Sequence, residues 1–161
     1  MTNNIKVGMA DYKLGRNNDV LTTLGLGSCV GIVIYDKTRK IAGMAHIMLP
    51  SSKEIKNNSN KAKFADTAIE ELLNEIARMG ANKNALTAKI AGGAQMFKIS
   101  AQNENLNIGK RNVIAVKDIL MYFKIPIIAE DVLGNYGRTI EFDCSTGNLK
   151  IKAIGKEVKI I

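Results

Sequence analysis

Two apolar segments joined by a short polar turn constrain the fold of this chain more than any other feature of its sequence. The segment VGIVIYD (30–36) is continuously apolar and rich in β-branched residues, which is typical of a buried strand. DKTRK then turns the chain, and IAGMAHIML (41–49) follows it and ends before Pro50. We therefore predict a buried β-hairpin in the first third of the chain.

Two amphipathic helices are predicted further along. In the first, apolar residues recur at helical spacing ahead of Gly80, which is placed to end the helix: Ala65, Ala68, Ile69, Leu72, Ile76 and Met79. The second ends before Pro126 and is marked by Val113, Val116, Leu120 and Phe123. Between the hairpin and the first helix, segment 51–61 has no apolar period and is predicted to be a polar surface loop.

The remaining pattern is mostly that of strands. Six further segments are predicted as strands: 5–10, 20–27, 86–94, 127–132, 138–143 and 148–154. GRNND (15–19) is predicted as a turn and QMFKISAQNENLN (95–107) as a loop. Strands that outnumber the helices and flank them favour an α+β or α/β class, with a mixed β-sheet and two main packed helices. At 161 residues, 46% of them hydrophobic, we expect a single domain over 1–161.

The composition excludes several classes of function. No N-terminal segment resembles a signal peptide and no stretch approaches the ~20 apolar residues that span a bilayer, so we expect a cytoplasmic protein without membrane insertion. Two cysteines, Cys29 and Cys144, outside any CxxC or Cys/His cluster, predict neither a disulfide framework nor a metal site. The net charge of +8 favours approach to acidic surfaces. Its basic residues are spread along the chain without interleaved aromatic ones, so nucleic-acid binding is not expected.

The glycines before Cys29 do not form a phosphate-binding motif. Gly25-Leu26-Gly27-Ser28-Cys29 lacks the third glycine of a dinucleotide fingerprint, where Val30 stands, and it leads into a strand instead of a helix. Glycines at this point allow a close approach of the backbone to a reacting carbonyl. The exposed N–H groups around Gly27 and Ser28 then become candidates to hold an oxyanion.

Cys29 is a candidate nucleophile and His46, the single histidine, is its candidate base. A thiol with a pKa near ~8.5 needs a base or cation beside it to react, and the predicted hairpin brings these two residues toward its open end. Thr23, on the strand before the glycines, is a candidate to orient the imidazole. A buried thiol beside a half-buried histidine remains an equally good interpretation of the spacing. Cys144, at a strand end beside a turn, is expected to be structural.

The segments TLGLGSCV (23–30) and MAHIMLP (44–50) resemble the CheD family of bacterial chemoreceptor glutamine deamidases. The resemblance extends over roughly 8–147 through four further segments: FADTAIEELLNEIARMGA, AKIAGGAQMF, NIGKRN and EDVLGNYGR. The last segment departs from the family, since Leu133-Gly134 stands where members often have a glycine pair.

The resemblance implies an enzyme that hydrolyses glutamine side-chain amides to glutamates on the cytoplasmic helical bundle of methyl-accepting chemotaxis receptors, with no metal or organic cofactor. It places the nucleophile at Cys29, the general acid/base at His46 and a supporting threonine at Thr23. It also implies a second partner, a phosphatase of the chemotaxis response regulator.

Two features leave alternatives open. Phe97, after the glycine turn, is either part of a partner-binding surface or a core residue that caps the sheet. The Cys-His pair also fits a cysteine peptidase or a transglutaminase. A non-catalytic regulatory module that binds receptor or phosphatase is the alternative from another class.

Overall fold

The computed structural model describes residues 2–98 and 106–161, so residues 99–105 of the predicted loop 95–107 lie outside the described part. Two α-helices occur in the described residues: α1 (Ala65–Arg78) and α2 (Ile108–Tyr122). Ten strands accompany them: β1 (Asn4–Val7), β2 (Asp11–Arg16), β3 (Val20–Leu26), β4 (Val30–Asp36), β5 (Ile41–Ile47), β6 (Leu86–Gly92), β7 (Ile127–Val132), β8 (Arg138–Asp143), β9 (Leu149–Lys152) and β10 (Lys159–Ile160).

These strands form two mixed sheets. Sheet A has the order β1-β3-β8-β9-β10, and sheet B has the order β2-β5-β4-β6-β7. The pairs β1–β3 and β6–β7 are parallel, and the other neighbours are antiparallel. The predicted α+β class with a mixed sheet and two packed helices is confirmed, and the strands are divided between two sheets.

The predicted hairpin, β4 and β5, lies at the centre of the molecule. Ile32 and Ile34 on one face of β4 belong to a core shared with α1 and α2. Val33 and Tyr35 on the other face belong to a core shared with sheet A, where the Tyr35 ring meets Phe142 edge-on at 5.0 Å between centroids. Sheet B is therefore the middle of three layers, which explains why both strands of the hairpin are apolar at successive positions.

The structure adds two strands that the sequence pattern did not predict. Strand β2 includes Gly15 and Arg16, which were assigned to a turn, and it pairs with β5 along its whole length. Its alternation is weak because it is an edge strand whose charged residues face solvent. Strand β10 has only two residues, both exposed. The strand predicted over 5–10 is shorter in the structure, where β1 ends at Val7.

The segment between the hairpin and α1 is polar and mostly exposed, with two short 3-10 turns at Ser52–Glu54 and Lys61–Lys63. Its start is attached to α1, because the Asp66 carboxylate accepts hydrogen bonds from the backbone N–H and the hydroxyl of Ser52. Helix α1 ends as predicted, with Gly80 following it at a φ of 101°.

Candidate active site

The β-hairpin places Cys29 and His46 at its open end. His46 pairs with Gly31 of β4, Ile47 pairs with Val30, and Cys29 immediately precedes that pair. Cys29, two residues before Gly31, is therefore a diagonal neighbour of His46 at the inter-sheet side of sheet B. A Cβ on Gly31 would lie 2.6 Å from Ile140 Cδ1 of sheet A, so the two sheets pack closely at this point.

A bulge in β3 turns Thr23 and Leu26 to the same side. Thr23 pairs with Ile140 and Leu26 with Arg138, so two residues of β3 lie opposite a single residue of β8. Gly25 in the bulge has a φ of 71°, which a glycine adopts without strain. Both Thr23 and Leu26 are consequently buried between the sheets, and Thr23 faces His46.

Two hydrogen bonds of Thr23 define the tautomer of His46. The Thr23 hydroxyl donates to Val7 O at 2.8 Å, and its oxygen lies 2.7 Å from His46 Nδ1. Because a hydroxyl has one proton, and Val7 O receives it, the oxygen must accept from the Nδ1–H of the imidazole. The neutral ring therefore carries its proton on Nδ1 and has a free lone pair on Nε2.

Burial governs the charge of the Cys29 thiol and of the His46 imidazole. Cys29 is 7% exposed and His46 is 1% exposed. Burial raises the pKa of the Cys29 thiol, with a smaller opposing effect from its own backbone N–H, and burial lowers the pKa of His46. Both groups are neutral near neutral pH. His46 Nε2 has no hydrogen-bond partner among the described residues, so the structure brings thiol and imidazole to one place without a hydrogen bond between them.

The loop 27–29 is held by its carbonyl groups. Gly27 O accepts from Ala94 N at 2.8 Å, and Cys29 O accepts from Gly93 N at 2.8 Å. Within the described part of the chain, the backbone N–H groups of Ser28 and Cys29 make no hydrogen bond to another residue. The Gly27 N–H is engaged with Gly25 O at 3.0 Å. Of the predicted backbone donors, those of Ser28 and Cys29 are thus available to a ligand.

Three glycines allow this close packing. A Cβ on Gly92, which has a φ of 108°, would lie 2.3 Å from Cys29 O. A Cβ on Gly109 at the start of α2 would lie 2.4 Å from Ala94 O, and one on Gly93 would meet Val113 at 2.3 Å. The β6 turn and the N-terminus of α2 therefore converge on the cysteine loop only because these positions lack side chains.

Similar sequences of a known family cover almost the whole chain. A family model described as CheD chemotactic sensory transduction matches residues 48–153. A protein of Caldanaerobacter subterraneus subsp. tengcongensis named probable chemoreceptor glutamine deamidase CheD is 56% identical to this chain over 157 residues. The match covers 98% of this chain and 97% of that protein. A protein of the same name from Lachnoclostridium phytofermentans is 55% identical, with 98% of each chain covered. Another from Syntrophomonas wolfei is 51% identical, with 100% of each chain covered. The chain belongs to the CheD family.

A solved structure with weaker similarity is the hypothetical protein YfiH of Bacillus licheniformis. It is 16% identical, with a TM-score of 0.45, over 75% of this chain and 49% of its own.

The loop at Leu133 and Gly134, where the sequence predicts a departure from the CheD pattern, packs against the β6 turn. Leu133 has a φ of 70°, a conformation in which a leucine is strained. Two backbone hydrogen bonds hold the loop against the β6 turn: Leu133 N donates to Gly92 O, and Gln95 N donates to Gly134 O, each at 2.9 Å. The loop therefore borders the same glycine turn that supports Cys29.

Phe97 is exposed, at 82%, so the interpretation as a core residue does not hold. Together with Met96 and Leu106 it lines a cleft of about 170 Å³ that reaches Ser28. Met96 and Leu106 are themselves about half exposed or more. An apolar surface thus adjoins the cysteine loop.

Cys144 lies elsewhere, directly after β8. It is fully buried, and burial, followed by the charges of Asp19 and Asp143, raises the pKa of its thiol to about 12. Its Sγ packs near Gly15, where a Cβ would lie 3.1 Å away.

The described residues contain neither a metal-binding cluster nor a membrane-spanning helix. No group of three or more His, Cys, Asp or Glu side chains is placed to hold a metal ion. Neither helix in the described part is long and apolar enough to cross a membrane.

One buried site residue was not predicted from the sequence. Asn112 of α2 contacts the cysteine loop, with its side-chain amide 3.0 Å from Ser28 O. Asn112 lies four residues before Val116 and eight before Leu120, so it is a polar residue on the apolar face of the helix. This spacing is the sequence feature that could have identified Asn112 as a buried polar residue.

Proposed function

We propose that this CheD protein hydrolyses glutamine side-chain amides of chemoreceptors to glutamates, with Cys29 as nucleophile and His46 as general acid/base. The curated relatives are named for this activity on chemoreceptors. The observation that carries the proposal is the Thr23–His46 hydrogen bond, because it leaves an unshared pair on Nε2 beside a cysteine whose own loop offers unbonded N–H groups.

The first half of the reaction forms a thioester. His46 Nε2 takes the thiol proton as Cys29 Sγ attacks the carboxamide carbon, and the N–H groups of Ser28 and Cys29 hold the resulting oxyanion. Collapse of the tetrahedral intermediate breaks the C–N bond, and the imidazolium returns its proton to the departing ammonia.

The second half regenerates the enzyme. Water gives a proton to His46 Nε2 and attacks the thioester carbon, and the sulfur leaves and recovers that proton. The net reaction consumes one water and yields ammonia and a glutamate. Thr23 keeps Nε2 as the basic nitrogen in both halves.

The pair is neutral in the resting state, which distinguishes it from a preformed thiolate–imidazolium pair. Burial raises the pKa of the Cys29 thiol and lowers that of His46, and no cationic side chain of the described residues lowers the pKa of the thiol. Proton transfer then accompanies attack, so the thiol stays unreactive until a carbonyl carbon is positioned beside it.

The substrate is proposed to approach over the apolar surface beside the cysteine loop. Phe97, Met96 and Leu106 offer contact area for a receptor helix, and the net charge of +8 favours an acidic partner. A response-regulator phosphatase is proposed to bind this protein and compete with receptors.

A non-catalytic regulatory module is the second candidate. The observation that favours it is the burial of Cys29, with a raised thiol pKa and no hydrogen bond to His46. In that case the protein binds receptor or phosphatase and the thiol takes no part.

Mass spectrometry of a receptor cytoplasmic fragment incubated with this protein separates the two candidates. The proposed enzyme adds about 1 Da at individual glutamines and releases ammonia, without cleaving the chain or incorporating an amine. Cys29→Ala should abolish the change, whereas Cys144→Ser, the matched control on the buried second thiol, should retain it. Full activity in folded Cys29→Ala would refute the mechanism.

A further inference from the structure

We infer that Asn112 is a positioning residue that aims the Cys29 backbone N–H at the reacting carbonyl oxygen. The inference rests on the proposed thioester mechanism and names a residue that assembles its oxyanion site. Asn112 lies on α2, is completely buried, and is separated from the cysteine loop by 84 residues.

The Asn112 amide joins two segments of the site. Its Nδ2 donates to Ser28 O and to Met48 O, both at 3.0 Å. Both neighbours are carbonyl acceptors, so the nitrogen must be the atom that faces them. Ser28 precedes the nucleophile and Met48 follows the strand that carries His46, so one side chain connects the loop of the nucleophile with the strand of the base.

The hydrogen bond to Ser28 O determines where the Cys29 N–H points. In a trans peptide the carbonyl and the N–H of one peptide unit point in opposite directions, and the described residues contain no cis bond. Ser28 O is directed to α2, so the Cys29 N–H is directed away from α2, where it makes no hydrogen bond to another of the described residues. Donation to the carbonyl also polarises the peptide unit and strengthens its N–H as a donor.

The two neighbouring carbonyls complete the arrangement. Gly27 O is held by Ala94 N, and Cys29 O is held by Gly93 N. Three consecutive carbonyls are thus anchored by donors outside the loop, and Asn112 supplies the only anchor from a side chain among the described residues. The rigid loop presents the Ser28 and Cys29 N–H groups in advance of substrate binding, as an oxyanion site requires.

The other half of the amide takes no part in these two hydrogen bonds. Asn112 Oδ1 is buried and has no hydrogen-bond partner among the described residues. An apolar residue of the same size would remove this unsatisfied acceptor, but it would leave Ser28 O and Met48 O without the donor that holds them.

Steady-state kinetics of Asn112→Leu test the inference, with ammonia release from a receptor cytoplasmic fragment as the assay. We expect kcat to fall about 10- to 100-fold, with KM within about twofold of wild type, because the change affects the oxyanion and leaves the binding surface intact. Asn112→Ala, whose smaller side chain admits a water, is the second variant if Asn112→Leu does not fold.

The matched control is Tyr35→Phe. It also removes a buried hydrogen bond from a side chain to a carbonyl, from Tyr35 Oη to Cys144 O at 2.6 Å, but it lies about 20 Å along β4 from Cys29. Its kcat should stay at the wild-type value. An equal fall in Tyr35→Phe would mean that lost stability alone explains the Asn112 effect.

A synthetic receptor peptide with an aldehyde in place of the glutamine carboxamide provides a direct measure of the oxyanion site. Cys29 S–H adds across the C=O bond, so the sulfur binds carbon and the proton ends on the former carbonyl oxygen, which occupies the oxyanion position. Asn112→Leu should weaken inhibition by this peptide about tenfold or more and leave inhibition by the matching alcohol unchanged.

The outcomes separate the inference from the proposed function. Wild-type kcat in folded Asn112 variants, together with loss of activity in Cys29→Ala, would refute the positioning role and leave the mechanism intact. Retained activity in Cys29→Ala would refute both the positioning role of Asn112 and the proposed mechanism.

Discussion

Thr23 Oγ1 and His46 Nδ1 lie 2.7 Å apart, although the two residues belong to strands of different sheets. The hydrogen bond crosses the space between β3 and β5 and is completely buried. Because the threonine hydroxyl already donates to Val7 O, the bond operates in one direction only, from imidazole to hydroxyl. Thr23 therefore selects the His46 tautomer whose free nitrogen, Nε2, acts as the proposed base.

Replacing Thr23 by valine should lower kcat about 10- to 100-fold with little change in KM, because a misoriented base slows proton transfer without altering substrate contacts. His46 is the single histidine, so ¹⁵N-histidine NMR reports on it alone. The wild-type spectrum should show the proton on Nδ1, and Thr23→Val should shift the tautomer equilibrium. Thr22→Val, one residue away on the opposite face of β3, is the control. A wild-type proton on Nε2 would contradict the assignment.

The part of the site within one segment was predictable from the sequence. Cys29, His46 and Thr23 lie on a predicted hairpin and the strand before it, where period-two alternation and turn position determine which residues come together. The sequence did not indicate that β3 and β5 belong to different sheets. That division depends on which face of the hairpin each layer covers, and an all-apolar strand contains no such information.

The features that the sequence did not predict are those formed by contacts between residues far apart in the chain. Asn112 reaches Ser28 from a distant helix, and the start of that helix depends on the Asn107 side chain capping Lys110 N. The apolar residues of α2 predict a helix, but their spacing does not show that a polar residue on the same face is part of the site. Strand β2 was missed because an edge strand needs only a few apolar side chains.

The activity of the enzyme should have a broad pH optimum. Protonation of His46 removes the base, and since burial lowers its pKa, the acid limb of kcat/KM should lie below about 6.5. Loss of the Cys29 proton leaves none for the departing ammonia, and since burial raises that pKa, the alkaline limb should lie above about 9. The apparent values belong to the coupled pair.

Alkylation of the thiol gives a separate check of the same pKa shifts. In the Cys144→Ser background, the rate of Cys29 alkylation by iodoacetamide should rise only toward alkaline pH, because the resting pair is neutral. A fast plateau that extends below pH of about 6 would show a thiolate–imidazolium pair and contradict the resting state derived from burial.

Replacing Gly92 by alanine should destabilise the fold by about 3 kcal/mol or more, because its Cβ would meet the Cys29 carbonyl oxygen at 2.3 Å in a backbone conformation that L-residues avoid. Gly25→Ala is the matched control: its φ of 71° is also positive, but no atom lies within 4 Å of the added Cβ. We expect a loss of about 1 kcal/mol there. Urea denaturation measures both values. Equal losses would show that backbone strain alone, and not the contact with the cysteine loop, makes Gly92 necessary.

Phe97→Ser should weaken substrate binding without affecting the fold. The side chain is 82% exposed, so the free energy of unfolding should change by no more than about 0.5 kcal/mol. If the cleft from Phe97 to Ser28 receives the receptor helix, loss of a large aromatic contact should raise KM about tenfold and leave kcat unchanged. Tyr122→Ser at the far end of α2 removes an aromatic side chain that is 77% exposed, and its KM should equal that of wild type. The same increase of KM in both variants would show that apolar surface in general, and not this cleft, attracts the receptor fragment.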